Sequence, residues 1–427
     1  MNKWINELRR MVNEGLLHIF GSSVLAQVGG LISSVVVIRR LPKLEYGFYV
    51  GANNIYSYLA VFIGLGLTTA MLQYCSEQVS DGRKAAIYRF SLTNGNIANI
   101  VIALGILIAA YIKYKSGDSN VASYLVMMTG LPFFAYIYMY VQVILRVRLQ
   151  NRVFAYANMV YTAVALVGNI ALTAVIGVPG LIISLYLANG ISAAVCIFSL
   201  YKGGFVRSIA HADERLEAAD KKEIRSYAFV CAITNFASIV LVLLDVTCLD
   251  IVLGDSTVLA DYKVASTIPA ACAFVPSSLV TFFYPRLVTA FSNGKQDGKN
   301  AVIRLTKVFL GVNGVVYLGL AIFAPLIIWL IFSEKYMNVI PVFQVLSLNF
   351  LVYSIRYLLG NVIAVIKRVK VNLVISIVSG ILNMTLNLIL ILKLGPIGAA
   401  TATVIVTSMT LIMEVYYLRR YLKDAEA

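Results

Sequence analysis

The chain has 427 residues, 60% of them hydrophobic and 13% charged, with a mean hydropathy of +0.84 and a formal net charge of +15. So much apolar surface exceeds what a water-soluble core can bury, which makes lipid the solvent and sets nucleic-acid binding aside as the reason for the positive charge. A bilayer core about 30 Å thick takes roughly 20 apolar residues per helical span, so spans are counted here instead of soluble domains.

The N-terminal Lys3, Arg9 and Arg10 precede an apolar run that is longer than a signal-peptide core and ends in Arg39-Arg40; it reads as an uncleaved first helix. Six runs lie at about 16–38, 48–72, 90–112, 121–145, 154–176 and 179–201. Six more follow at about 227–253, 264–284, 308–332, 341–366, 372–392 and 396–418. An open sheet would leave an unpaired edge in lipid, and ten-residue alternation is absent, so the pattern predicts an all-α membrane protein of about twelve transmembrane helices. If the N-terminus is cytoplasmic, 26 of the 35 Lys and Arg residues fall in inside segments and 8 outside, with Arg356 inside a span. That asymmetry predicts cytoplasmic termini at both ends. The mixed-charge stretch 202–226 is expected to link an N-lobe (1–201, six spans) to a C-lobe (227–427, six spans).

The halves resemble each other. Asn169, Leu172, Gly177 and Gly180 recur 218 residues later as Asn387, Leu390, Gly395 and Gly398, and Tyr49 and Ala52 recur 213 residues later as Tyr262 and Ala265. A parallel repeat of two membrane lobes is a transporter architecture.

Arg356 lies near the middle of the tenth span, where an ionised side chain costs roughly 2.5 to 3.5 kcal/mol on insertion scales. It shares a helix face with Asn349, Tyr353 and Gly360. One reading is a cavity wall that holds a diphosphate, since guanidinium matches phosphate oxygens with a bidentate fork; the other is an ion pair with a neighbouring helix. Asp245, in the seventh span on the face of Asn235 and Ser238, is the candidate for ion coupling or cavity lining, set against a static salt bridge.

Polar stripes run along other spans: Asn53 and Ser57; Asn158, Thr162 and Asn169; Ser376, Ser379, Asn383 and Asn387. They either line an aqueous path for sugar hydroxyls or bond helix to helix. Tyr136, Tyr138 and Tyr140 either stack on sugars or mark a membrane interface. His18 reads as a packed or snorkelling residue, set against a proton relay, and Glu414, near the cytoplasmic end of the last span, as needing no special role. Pro132, Pro276 and Pro325 are expected to kink the fourth, eighth and ninth spans.

The five cysteines lack CxxC spacing, which gives neither a metal site nor a disulfide framework. No HExxH, GxSxG, Walker A or DxD constellation occurs, and the expected outside loops are too short for a catalytic domain, so neither an enzyme nor a cofactor is expected.

Four stretches carry a family resemblance: RRLPKLEYGFYVGA with the following GLGLTTAMLQYCSE; DVTCLDIVLGDSTVLADYKVAS; FSEKYMNVIPVFQVLSLNF; and LNLILILKLGPIGAATAT. In this order they resemble the polysaccharide flippase family, the O-antigen translocases of the multidrug/oligosaccharidyl-lipid/polysaccharide exporter superfamily. The resemblance implies a bacterial inner-membrane protein that exports undecaprenyl-diphosphate-linked oligosaccharide by alternating access, coupled to a proton or sodium gradient. It also implies a polysaccharide polymerase and a chain-length regulator as partners. One departure is Ala260, where the family pattern has glycine, which implies a less tightly turned connection between the seventh and eighth spans. Two rival readings remain. A small-molecule exporter of the same superfamily would need an acidic cavity for cationic drugs, and the first span has no carboxylate. A membrane enzyme of polysaccharide assembly would need a large periplasmic loop.

Overall fold

The computed structural model describes residues 16–76, 80–202 and 214–423, the side chains of 16–26, 238, 241, 285, 369 and 423 excepted. The side chains of His18 and Ser238 and residues 203–213 of the expected linker therefore lie outside the described residues. The described residues contain no strand. Ten helical segments are long and apolar enough to cross a bilayer, and a bent helix over 218–253 makes an eleventh. A further helix of 25 residues stands where the first span is expected. The chain is a multi-pass all-α membrane protein.

The helices divide into two compact units, Met1–Val240 and Leu241–Ala427. The first unit contains α1 (Leu16–Arg40), α2 (Lys43–Ala60), α3 (Leu67–Ser76), α4 (Asp81–Lys115), α5 (Ser119–Met128), α6 (Leu131–Val147), α7 (Asn151–Ile176) and α8 (Val178–Lys202). It also holds the first part of α9 (Ala218–Leu253), which opens inside the stretch expected as a linker. That opening is fastened to the unit by polar contacts: Arg83 Nη2 to Asp220 Oδ1 at 2.9 Å, Tyr74 Oη to Glu223 Oε1 at 2.9 Å and Arg225 Nη2 to Asn94 Oδ1 at 2.8 Å.

The second unit takes the rest of α9, then α10 (Ser256–Cys272), α11 (Phe274–Asn293), α12 (Lys295–Ile322), α13 (Ala324–Ile327), α14 (Ile340–Val365), α15 (Val369–Leu394) and α16 (Pro396–Lys423). Its core gathers Phe309, Leu358, Leu359, Val362 and Ile363 from α12 and α14.

Helix breaks are present at the three expected prolines, each two or three residues before the proline. Pro132 and Pro325 sit in the first turns of α6 and α13, and Pro276 near the start of α11, all just after a helix break. This is where the missing N–H does least harm. The second span is also interrupted, at Ile63–Gly66, where Leu65 has φ 47°. Fully buried Asn99 stitches this break to the one before α6, accepting from Gly64 N at 2.9 Å and donating to Pro132 O at 3.3 Å. Ala260 lies buried inside α10, so the loosened turn expected from its departure is not there; the chain turns at Gly254.

The repeat noticed in sequence has a geometric cause. Gly177 and Gly395 end α7 and α15 at φ 65° and 58°, a conformation that disfavours a Cβ. Three residues on, Gly180 and Gly398 press against the preceding helix so closely that a Cβ would lie 2.4 Å from Leu172 O and 2.1 Å from Leu390 O. The recurring Asn, Leu, Gly and Gly thus build the same tight helical hairpin in each unit.

Candidate functional site

In the first unit Asn169 bridges three helices: its Nδ2 donates to Ser33 Oγ at 2.6 Å, and its Oδ1 accepts from Ser184 Oγ. In the second unit Asn387, its counterpart 218 residues on, does the same work with a carboxylate in the serine's place. Asp245 on α9 accepts from Asn387 Nδ2 at 2.9 Å, from Tyr262 Oη on α10 at 2.6 Å and from Thr403 Oγ1 on α16 at 2.7 Å. Asn387 Nδ2 also donates to Asn383 Oδ1. Four helices therefore converge on one carboxylate through neutral donors, with no cation paired to it among the described residues. Asn387 is fully buried, yet its Oδ1 has no partner. An oxygen left unpaired beside a carboxylate is an arrangement that accepts a proton or a small cation.

Arg356 projects from α14 on the face predicted. Its guanidinium lies 5.4 Å from the ring centre of Tyr353, which stacks on Tyr357 at 5.8 Å. It makes no hydrogen bond and no ion pair with any described residue. Asn349, two turns earlier, has a buried Oδ1 without a partner. One turn after Arg356, Gly360 faces Glu414 of α16 and accepts at its carbonyl from Asn372 Nδ2 at 2.8 Å.

The remaining candidates separate. Asn158 is engaged inside the first unit, its Oδ1 accepting from Tyr138 Oη at 3.1 Å and Gln142 Nε2 at 2.7 Å. Asn53 is half-buried, and its side chain makes no hydrogen bond to a described residue. Tyr136, Tyr138 and Tyr140 are buried in the packing of the first unit, where Tyr136 donates to Ser91 O at 2.5 Å and Tyr140 to Tyr88 O at 3.1 Å. The sugar-stacking reading of these three is thereby corrected.

Thr403 was not singled out in the sequence, and Tyr262 was noted as a repeat position and as part of the stretch that carries the family resemblance, without a role. Their signal was the repeat itself, since Thr403 stands beside the counterpart of Ser184. Glu414, near the end of the last span, is 3% exposed.

No family model matches the chain. An uncharacterized membrane protein of Methanocaldococcus jannaschii is 24% identical over 95% of this chain and 83% of its own length. A "probable low-salt glycan biosynthesis flippase" of Haloferax volcanii is 22% identical over 56% of this chain and 52% of its own length. Among solved structures, the lipid II flippase MurJ in an inward closed conformation superposes with a TM-score of 0.73 at 15% identity, covering 94% of this chain and 87% of the other. An inward-facing multidrug resistance MATE transporter of the MOP superfamily gives 0.75 at 14% identity, covering 94% and 95%. The fold is that of the MOP-superfamily transporters.

Proposed function

We propose that the protein is a flippase that carries undecaprenyl-diphosphate-linked oligosaccharide, O-antigen or a related polysaccharide unit, from the cytoplasmic to the periplasmic leaflet by alternating access. The observation that carries this reading is Arg356, a half-buried guanidinium inside an apolar span with none of its donors bonded to a described residue. A cation that costs several kcal/mol to insert and has no fixed partner is suited to an anionic ligand that comes and goes. A sugar diphosphate cannot cross hydrocarbon with its charges and hydroxyls unsatisfied, whereas its polyprenyl tail can stay in lipid. The likeness to a lipid II flippase and to a glycan flippase supports the same substrate class.

Coupling is assigned to Asp245. Its carboxylate, the unpaired Asn387 Oδ1 and the hydroxyls of Tyr262 and Thr403 tie α9, α10, α15 and α16 together, so a proton or sodium ion taken there changes how four helices are held.

The test is a deletion strain in which lipid-linked oligosaccharides and surface glycans are compared. Loss of surface glycan with accumulation of the lipid-linked precursor is expected. The second reading, a small-molecule exporter, is favoured by the equally good superposition on a multidrug transporter. An unchanged glycan profile with altered drug susceptibility would select it.

A further inference from the structure

Glu414 lies inside the second unit, 3% exposed, and its Oε2 is buried without a partner. Neither oxygen is bonded to a described residue. Gly360 of α14 borders it, since a Cβ there would stand in ordinary contact, 3.5 Å from Glu414 Oε1. One turn back on that helix is Arg356, whose guanidinium rests over Tyr353 and is not bonded to the carboxylate. Two opposite charges thus face one notch in adjacent helices and do not meet.

The other groups around the notch are neutral. From α15 come Asn372, whose own Oδ1 is buried and unpaired, and Ser379, bonded to Thr410 of α16 at 2.6 Å. On α12, Lys295 lies over the ring of Tyr421, two turns beyond Glu414. Among the described residues, Arg356 is the charge that acts on Glu414.

A buried carboxylate with no donor and no cation is too costly to persist, so it needs a proton, an ion or the guanidinium. We propose that Glu414 is a proton-binding site of the second unit, separate from Asp245, that holds its proton while Arg356 is engaged by a diphosphate and gives it up to water when Arg356 swings back to pair with it. This rests on the reading of Arg356 as the phosphate contact and adds what balances the charge: substrate release frees a cation, and Glu414 ionises to meet it. Anion binding at Arg356 then carries proton uptake at Glu414, and by linkage each favours the other.

Infrared difference spectroscopy of the purified protein in lipid tests this through the carbonyl band of a protonated carboxyl group. The native protein should show a band that is lost in Glu414→Gln and displaced in Glu414→Asp, and that persists in Asp245→Asn. At fixed pH the band should grow when a short polyprenyl diphosphate is added, and it should not respond in Arg356→Gln. A response to inorganic pyrophosphate as well assigns recognition to the diphosphate alone; a response only to the polyprenyl form includes the lipid. Absence of any Glu414-dependent band overturns the proposal, as does a band indifferent to both probes. A responsive band in a protein whose deletion leaves glycan export intact would keep the proton site and remove the flippase reading.

Discussion

Arg356 and Asp245 are both half-buried charges among apolar helices, but their surroundings ask for different things. Asp245 already holds three donors, so its geometry is set by the protein. Arg356 has no acceptor among the described residues and rests over the Tyr353 ring. A charge-assisted hydrogen bond is worth about 1.5 to 3 kcal/mol, or roughly a ten- to hundredfold effect. Arg356→Ala should therefore lower export by about that factor while leaving a folded, inserted protein, and Arg356→Lys should retain part of the activity because it keeps the charge. Surface-glycan complementation with membrane abundance measured in parallel decides this. An abundant alanine variant that complements fully removes Arg356 from the mechanism. Asp245→Asn keeps a side chain of the same shape for Tyr262 and Thr403 to bond, so substrate binding and exchange should survive. Gradient-driven accumulation in proteoliposomes should be lost, and running the assay with a proton gradient or a sodium gradient alone identifies the ion. Full gradient-driven transport by the variant would place coupling elsewhere.

The hairpins α7–α8 and α15–α16 depend on glycine in two separate ways. At Gly395 an alanine must adopt a left-handed conformation, which costs roughly 1 to 2 kcal/mol. At Gly398 a methyl group would collide with Leu390 O, and overpacking of this kind costs about 1 to 3 kcal/mol. Gly398→Ala should lower the melting temperature in detergent, and a Gly180→Ala, Gly398→Ala double variant should lower it by about the sum, because the two hairpins are separate sites. No change in either would deny the close approach. These hairpins were legible because each needs glycine at fixed spacing and the spacing occurs twice. Span positions were legible for a similar reason: the bilayer demands a minimum apolar length wherever a helix crosses. The break at Ile63–Gly66 was not, since it depends on Asn99 from a distant helix and no proline marks it. Nor was the company of Asp245. Helical periodicity gives the face of one helix, whereas Tyr262, Asn387 and Thr403 arrive from three others. The burial of Glu414 was not legible either, since its nearness to the cytoplasmic end of the last span says nothing of the α14 helix that packs beside it.

The distribution of Lys and Arg carries a statement about the whole chain: both termini should face the cytoplasm. With the native cysteines replaced by serine, Ser116→Cys should react with an impermeant reagent from the periplasmic side, and Asp297→Cys only after the membrane is permeabilised. The reverse pattern would invert the orientation and, with it, the direction of export. In the proposed alternating access, a diphosphate is held by protein while its lipid tail remains outside. Most directly, that account is tested by the leaflet distribution of the lipid-linked oligosaccharide in inner-membrane vesicles of a deletion strain carrying the native gene, Arg356→Ala or an empty vector. The native protein should make the glycan accessible to an impermeant glycan-modifying reagent on the periplasmic face, and the other two should leave it on the cytoplasmic face. Equal periplasmic accessibility in all three would contradict the claim that this protein moves the glycan across the membrane.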